Sequence, residues 1–153
     1  MREFKIVISD TSCLIILEKL NALELLRQLY PIVLTTPEIQ REFGTDLPDW
    51  ITIQTVHDNA LVEAFKESVD PGEASAIALA MEIDKAMLIV DDRKGRILAA
   101  RMELNFMGSI GLLLKAKSRG LIPFLKPYTE QLLQTDFRVS QILINYALKQ
   151  AGE

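Results

Sequence analysis

Apolar runs that end abruptly in carboxylates alternate along this chain with segments whose apolar residues recur at helical spacing. Phe4 to Cys13 (FKIVISDTSC) sets the pattern: Phe4, Ile6, Val7 and Ile8 are the aromatic and β-branched residues that fill a strand buried on both faces. The run stops at Asp10, Thr11 and Ser12, which favour the cap of a following helix, so Asp10 is expected where a central strand ends. Ala86 to Val90 (AMLIV) repeats the arrangement, with Asp91 and Asp92 directly after it and a helical pattern beyond.

Between these two runs the elements follow from local chemistry. SCLIILEKL predicts a short helix, and Ala22 to Leu29 a second, with Leu23, Leu26 and Tyr30 on one side and Asn21 as its cap. Pro31 stops the helix, Ile32 to Leu34 is a short β-type run, and Thr36 caps a further helix with Pro37 in its first position. That helix carries Glu38 and Glu42, four residues apart and therefore on one face. Trp50 to Val56 alternates as a half-exposed strand does, and Asp58 to Ser68 reads as helix. Asp70-Pro71-Gly72-Glu73 has the form of a capping box ahead of the alanine-rich helix ASAIALAMEI.

Arg93 to Met102 forms the helix after the second buried run, and Leu104 to Met107 a short edge strand. Gly108 and Ser109 open the helix IGLLLKAKSR, which Gly120 closes in the left-handed position. Two C-terminal helices are expected over about 126–149, whose Ile142, Leu143, Tyr146 and Leu148 need covering. No repeat, low-complexity tract or linker interrupts the chain.

Strands alternating with helices, without strict polar alternation in the strands, imply an α/β fold: three layers, α/β/α, with a central parallel sheet, in one domain over residues 1–153. On such a sheet Asp10 and either Asp91 or Asp92 converge on one edge, and Glu42 and Glu73 lie in helices that start from it. Carboxylates this close raise one another's pKa unless a cation keeps them ionised. Mg²⁺ or Mn²⁺ meets that need, because such ions take one or two carboxylates and keep positions open for water and phosphate. Bland roles exist for each residue: Asp10, Asp91 and Asp92 as helix caps, Glu73 as the capping-box partner of Asp70, and Glu38 as a surface or helix-dipole residue.

The net charge of −4 excludes a general basic coat but not a local basic patch. Cys13, the single cysteine, cannot form an internal disulfide and sits among apolar neighbours as a core thiol. The N-terminal residues lack a leader pattern and no run approaches a membrane span, so a cytoplasmic protein without membrane contact is the expectation. His57, the only histidine, is expected in a surface or loop role, being neither a zinc set nor a triad.

With these residues in view, the chain resembles the PIN domain superfamily, and within it the small prokaryotic PIN proteins related to VapC toxins. The resemblance rests on ISDTS at 8–12, TPEIQREF at 36–43, PGEASAIALA at 71–80 and LIVDDRKGRILAA at 88–100, and continues through MGSIGLLLKAKSRGLIP at 107–123. It implies a metal-dependent ribonuclease with four acidic positions. Asp10 matches the first, Glu42 the second, Glu73 the third, where VapC toxins more often have Asp, and the Asp91-Asp92 pair the fourth. The toxin pattern selects Asp92, whereas strand geometry favours Asp91. Ser12 matches a small hydroxyl residue near the metal, and Ser109 supports the same edge. The resemblance further implies a small antitoxin partner whose bound segment blocks the acidic crevice, and a homodimer whose interface the C-terminal helices help to cover.

Arg93, Lys94 and Arg96 follow the acidic pair, and Lys115, Lys117 and Arg119 lie on the helix opening at Ser109; an RNA backbone is expected to run over both groups. The alternative for each group is a solvated helix face. No run of aromatics marks a base-stacking surface, so base preference is not legible. Two other functions fit the same edge: a catalytically weak binding module that retains the scaffold, and a phosphohydrolase acting on small phosphoesters. A receiver-type domain fits less well, because the adjacent aspartates follow a late strand and not the first.

Overall fold

The computed structural model describes residues 3–153; the first two residues of the segment read for a leader lie outside the described residues. Strands β1 (Ile6–Ser9), β2 (Ile32–Thr35), β3 (Ile51–Ile53), β4 (Ala86–Ile89) and β5 (Asn105–Met107) form one sheet in the order β3-β2-β1-β4-β5, every pair parallel. Parallel neighbours cannot be joined by a hairpin, so helices cross between them. Helices α1 (Thr11–Lys19) and α2 (Leu25–Leu29) lead from β1 to β2, and α3 (Pro37–Phe43) from β2 to β3. Next, α4 (Asn59–Phe65) and α5 (Pro71–Glu82) return to β4, and α6 (Arg93–Arg101) reaches β5. The sheet is followed by α7 (Ser109–Ser118), α8 (Lys126–Leu133) and α9 (Gln141–Gln150). This is the three-layer α/β/α arrangement expected from the alternation of apolar runs and helical patterns.

Burial explains why β1 and β4 read as continuous apolar runs. Every residue of β4 is buried, as are Val7, Ile8 and Ser9 of β1, because helices cover both faces of the sheet. Over β1 and β4 lies α5, buried without interruption from Gly72 to Ala80. Its Ala and Ser side chains keep it narrow enough for α3, α4 and α6 to pack against it, and a helix apolar on all sides belongs in this central position.

The first two crossovers run from β1 to β2 and on to β3, and the third returns past β1 to β4 on its other side. The switch point therefore lies between β1 and β4, and ligands of open α/β sheets bind in the crevice outside the carboxyl ends of the strands at such a point. Ser9 is in register with Ile89, and the Asp10 N–H bonds the Ile89 carbonyl at 3.2 Å. The chain thus brings Asp10 level with the residues just ahead of Asp91.

Several boundaries differ from expectation. Asn21 does not cap α2: it adopts a left-handed conformation (φ 56°) with its N–H on the Glu18 carbonyl, ending α1, and α2 begins only at Leu25 behind Glu24. Asn tolerates that conformation as a single residue. β3 ends at Ile53, α4 stops at Phe65, and α9 starts at Gln141 because the Ser140 hydroxyl takes the Ile142 and Leu143 N–H groups. Ile142 and Tyr146 remain 82% and 60% exposed, so the described residues leave part of the C-terminal apolar face uncovered.

Candidate active site

Asp10 ends β1 and caps α1 at once. Its Oδ1 accepts the Cys13 N–H at 2.8 Å, while its Oδ2 is buried and has no hydrogen-bond partner among the described residues. With its side chain almost fully enclosed, Asp10 has a pKa pushed up to about 8, first by burial and then by the charge of Asp91, against the pull of the Cys13 N–H. Burial likewise pushes the Cys13 thiol well up, in keeping with the core role read from its neighbours.

Asp91 follows β4, and both of its oxygens are held from the start of α7. The Ser109 N–H donates to Oδ1 at 2.7 Å and the Ser109 hydroxyl to Oδ2 at 2.5 Å. Gly108, at the N-cap of α7, has no side chain to cap the helix, so Asp91 does so from another strand. Burial raises the Asp91 pKa; the two Ser109 bonds and the nearby charge of Arg96 oppose the rise. Asp92 lies further out, capping α6 by accepting the Lys94 N–H at 3.1 Å. The two members of the pair are therefore distinct in kind: Asp91 faces Asp10 in the crevice and Asp92 stands at its rim beside Glu73.

Glu73 departs from a reciprocal capping box. Asp70 accepts the Glu73 N–H at 2.8 Å, but the Glu73 carboxyl does not take the Asp70 N–H in return; it lies against the Asp70 carboxyl, and its Oε2 is buried without a partner among the described residues. Burial, then the adjacent Asp70 carboxyl, pushes its pKa up to about 8. Glu42 is exposed in the last turn of α3, where its Oε1 accepts the Thr11 hydroxyl at 2.5 Å. Thr11 and Asp70 are thus parts of the acidic neighbourhood that the sequence reading missed; an Asp opening a helix three residues before a buried Glu was the available signal for the second. Ser12 is exposed and makes no side-chain hydrogen bond among the described residues, whereas Thr11 beside it bonds Glu42. Glu38 is turned toward Arg41, and His57 is a surface residue whose N–H and ring bind Glu82.

Three glycines make room for three of these acids. A Cβ on Gly72 would overlap the Glu42 carboxylate, one on Gly95 would lie 2.7 Å from Glu73 Oε2, and one on Gly108 would lie 2.8 Å from Asp91 Oδ1. Behind them, the Thr36 and Ser75 hydroxyls meet at 2.6 Å, Ser75 donates to the Gly72 carbonyl, and Thr35 donates to the Ser9 carbonyl. These buried bonds tie α3 and α5 to the ends of β1 and β2.

The donor set fits a hard divalent cation, since two buried carboxylate oxygens stand unpartnered on neighbouring acids and further carboxylates rim them. No group of three acids, histidines or cysteines among the described residues has the geometry to hold an ion as it stands. Mg²⁺ does not require such a group, because it commonly takes one or two carboxylates and completes its shell with water and phosphate.

The basic residues divide. Arg93, Lys94 and Arg96 occupy the first turn of α6, directly after Asp92 and at the same edge. Lys115 and Lys117 are not brought there. α7 starts at the crevice and runs away from it, so Lys115 lies about 9 Å further along the helix axis than Ser109. Its Nζ bonds the Tyr30 hydroxyl at 3.1 Å and sits over the Tyr30 ring, and it shares a cleft with Phe4 and Lys5, which precede β1. Lys117 bonds Glu153 at 2.9 Å and Arg119 bonds Glu3 at 2.9 Å. These cations serve the opposite end of the molecule.

A family model described as PIN domain, DUF3368, matches residues 6–153. The comparisons with curated proteins and with solved structures returned no match.

Proposed function

We propose, from the premise that the chain belongs to the PIN-domain family, that it is an Mg²⁺- or Mn²⁺-dependent endoribonuclease hydrolysing RNA phosphodiesters at the switch point between β1 and β4. PIN domains are typically nucleases that bind nucleic acid, and their nucleases in general use divalent metal ions. The observation that carries the reading here is the pair of buried, unpartnered oxygens, Asp10 Oδ2 and Glu73 Oε2, on acids whose pKa values are both pushed up to about 8. Natural interiors rarely leave such groups unsatisfied without a functional reason.

In this reading Asp10 and Glu73 would hold the cation through their unpartnered oxygens, with Asp91 beside them and Asp92 and Glu42 at the rim as further catalytic acids. When bound, the cation supplies an activated water and offsets charge on the phosphoryl oxygen. The remaining work falls to the chain itself. Ser109 fixes Asp91 through both oxygens, Cys13 orients Asp10, and Thr11 holds Glu42 beside the crevice. Arg93, Lys94 and Arg96 draw the phosphate backbone to the rim, as cations at one edge can in a protein of net negative charge. Residues 1–153 act as one PIN-like domain. The VapC-like motifs extend the reading to the toxin of a toxin–antitoxin pair, in a homodimer, working in the cytoplasm; no helix of the described residues is long and apolar enough to cross a membrane.

The test compares wild type with Asp10→Asn on mixed single-stranded RNAs, with Mg²⁺ or Mn²⁺ and with excess chelator. Cleavage by wild type alone, abolished by chelator, is the expected result. Equal cleavage by both proteins removes Asp10 from the centre, and turnover of nucleotide or sugar phosphates without any of RNA replaces the reading by a small-phosphoester hydrolase.

A further inference from the structure

The acidic crevice opens sideways into a groove between α7 and α9 that encloses about 470 Å³, a volume typical of small-ligand sites. Asp91 lines it; Phe137 and Arg138 come from the segment before α9, Leu143 and Tyr146 from α9, and Arg96 from α6. Gly111 contributes no side chain to the α7 wall. From these walls, and resting on the ribonuclease reading above, we infer that the groove receives one unstacked nucleobase of the RNA, next to the phosphodiester held at the acids.

The chemistry of the walls selects that occupant. Tyr146 and Phe137 offer aromatic faces, and every base has a π-face that stacks on such rings whatever its sequence. Among the described residues Arg138 makes no ion pair, and the charge of Arg96 lies near Asp91 without forming a close pair with it. Two guanidinium groups lining an otherwise largely apolar groove, in a protein of net charge −4, match a neutral ring flanked by phosphates. Asp91 in the lining disfavours a second phosphate or a carboxylate within the groove itself, but not an uncharged base. The position is equally constraining: a ligand that shares Asp91 with the acidic centre lies within reach of whatever is cut there. Sequence spacing hid this surface, because Phe137 and Tyr146 are isolated aromatics until α9 folds back onto α7.

The experiment uses the full chain carrying Asp10→Asn, so that RNA is not consumed, and fluorescein-labelled single-stranded octanucleotides of each base in Mg²⁺. Adding Tyr146→Ala is expected to weaken binding about tenfold, within the range of one base–aromatic stack, while Tyr146→Phe retains it. Tyr146 is 60% exposed, so its truncation leaves the core intact, and the exposed Arg138→Ala provides a second variant with a similar expected loss. RNA containing 4-thiouridine is expected to cross-link to the peptide covering residues 137–147. If the Asp10→Asn parent binds no RNA, the ribonuclease reading falls and the subsite with it. If the parent binds but neither second variant weakens binding and the cross-links map elsewhere, the subsite alone is overturned. A change in sedimenting mass in the Tyr146→Ala variant, with RNA affinity unaltered, overturns it as well and assigns the groove to contact between copies of the chain.

Discussion

Asp10 has one oxygen committed to a helix cap and the other without a hydrogen-bond partner among the described residues, and that asymmetry has a thermodynamic signature. Its pKa in the folded protein is about 8, against an ordinary value of 3.8, so between those values the folded chain keeps a proton that the unfolded chain releases. The associated stability is fully present below about pH 4 and is lost as pH rises toward about 8; Glu73 acts in the same direction. In chelator, the wild-type melting temperature is therefore expected to fall from pH 5 to pH 8. Asp10→Asn should flatten that slope and be the more stable protein at pH 8, by on the order of a few kcal/mol. Adding Mn²⁺ at pH 8 should stabilise the wild type and much less the variant. Melts in chelator that are flat across this range would remove burial as the source of the strain. Gly95 carries a second expectation at this scale. Alanine inside a helix ordinarily gains roughly 0.5–1 kcal/mol over glycine, yet here its Cβ would meet Glu73 Oε2 and Val90 Cγ2, each at 2.7 Å. Gly95→Ala should instead cost about 1–3 kcal/mol, the range for overpacking, and weaken Mn²⁺ binding measured by calorimetry. A more stable Gly95→Ala protein with unchanged Mn²⁺ affinity would show that the glycine does not serve the acid.

At the level of elements, the parts legible in the sequence are those fixed by a strong local requirement. β1 and β4 had to be nearly continuous apolar runs because helices cover both their faces, and polar residues at their ends marked the crevice. Thr36 with Pro37 gave the start of α3 through the chemistry of the cap and the first helical position. What escaped depended on tertiary direction. Glu42 reaches Thr11 only because α3 lies against α1, and Lys115 and Lys117 are carried off because α7 descends from Ser109. Glu73 satisfied the spacing of a capping box, but α5 is buried and its Glu was turned inward, which spacing alone does not encode. Another non-local bond of this kind supports a prediction. Glu82, at the end of α5, accepts the N–H groups of His57 and Asp58 at 2.9 Å each, holding the chain where it enters α4. Those bonds and the nearby His57 hold its carboxyl below the ordinary range despite the opposing effect of burial. Its stabilisation is present above the usual carboxylate pKa and lost as pH falls through the lowered value. Glu82→Ala is expected to cost about 1 kcal/mol at pH 7 in urea unfolding, and less near pH 3. An equal cost at both pH values would point to packing instead of charge.

Across the whole molecule, charge is sorted by edge. Arg93, Lys94 and Arg96 stand by the acids, with Arg138 beside the adjoining groove, while Lys115, Lys117 and the following Arg119 are bound to Tyr30, Glu153 and Glu3 at the far end. A sequence count of basic residues cannot separate the two sets, since both follow a residue at the same crevice and differ only in how far the helix has run. Salt dependence can separate them. Each phosphate neutralised on a single strand contributes about −0.7 to the slope of log affinity against log salt. If Arg93, Lys94, Arg96 and Arg138 each contact one phosphate, the slope for an octanucleotide is expected near −3, and Arg96→Ala should reduce its magnitude by about 0.7. Lys115→Gln and Lys117→Gln should leave the slope unchanged, even where they lower stability by releasing Tyr30 or Glu153. The reverse result, with the α7 variants losing slope and Arg96→Ala keeping it, would carry the nucleic acid over the N-terminal end of the strands and away from Asp10 and Asp91, where no cleavage by these acids is possible.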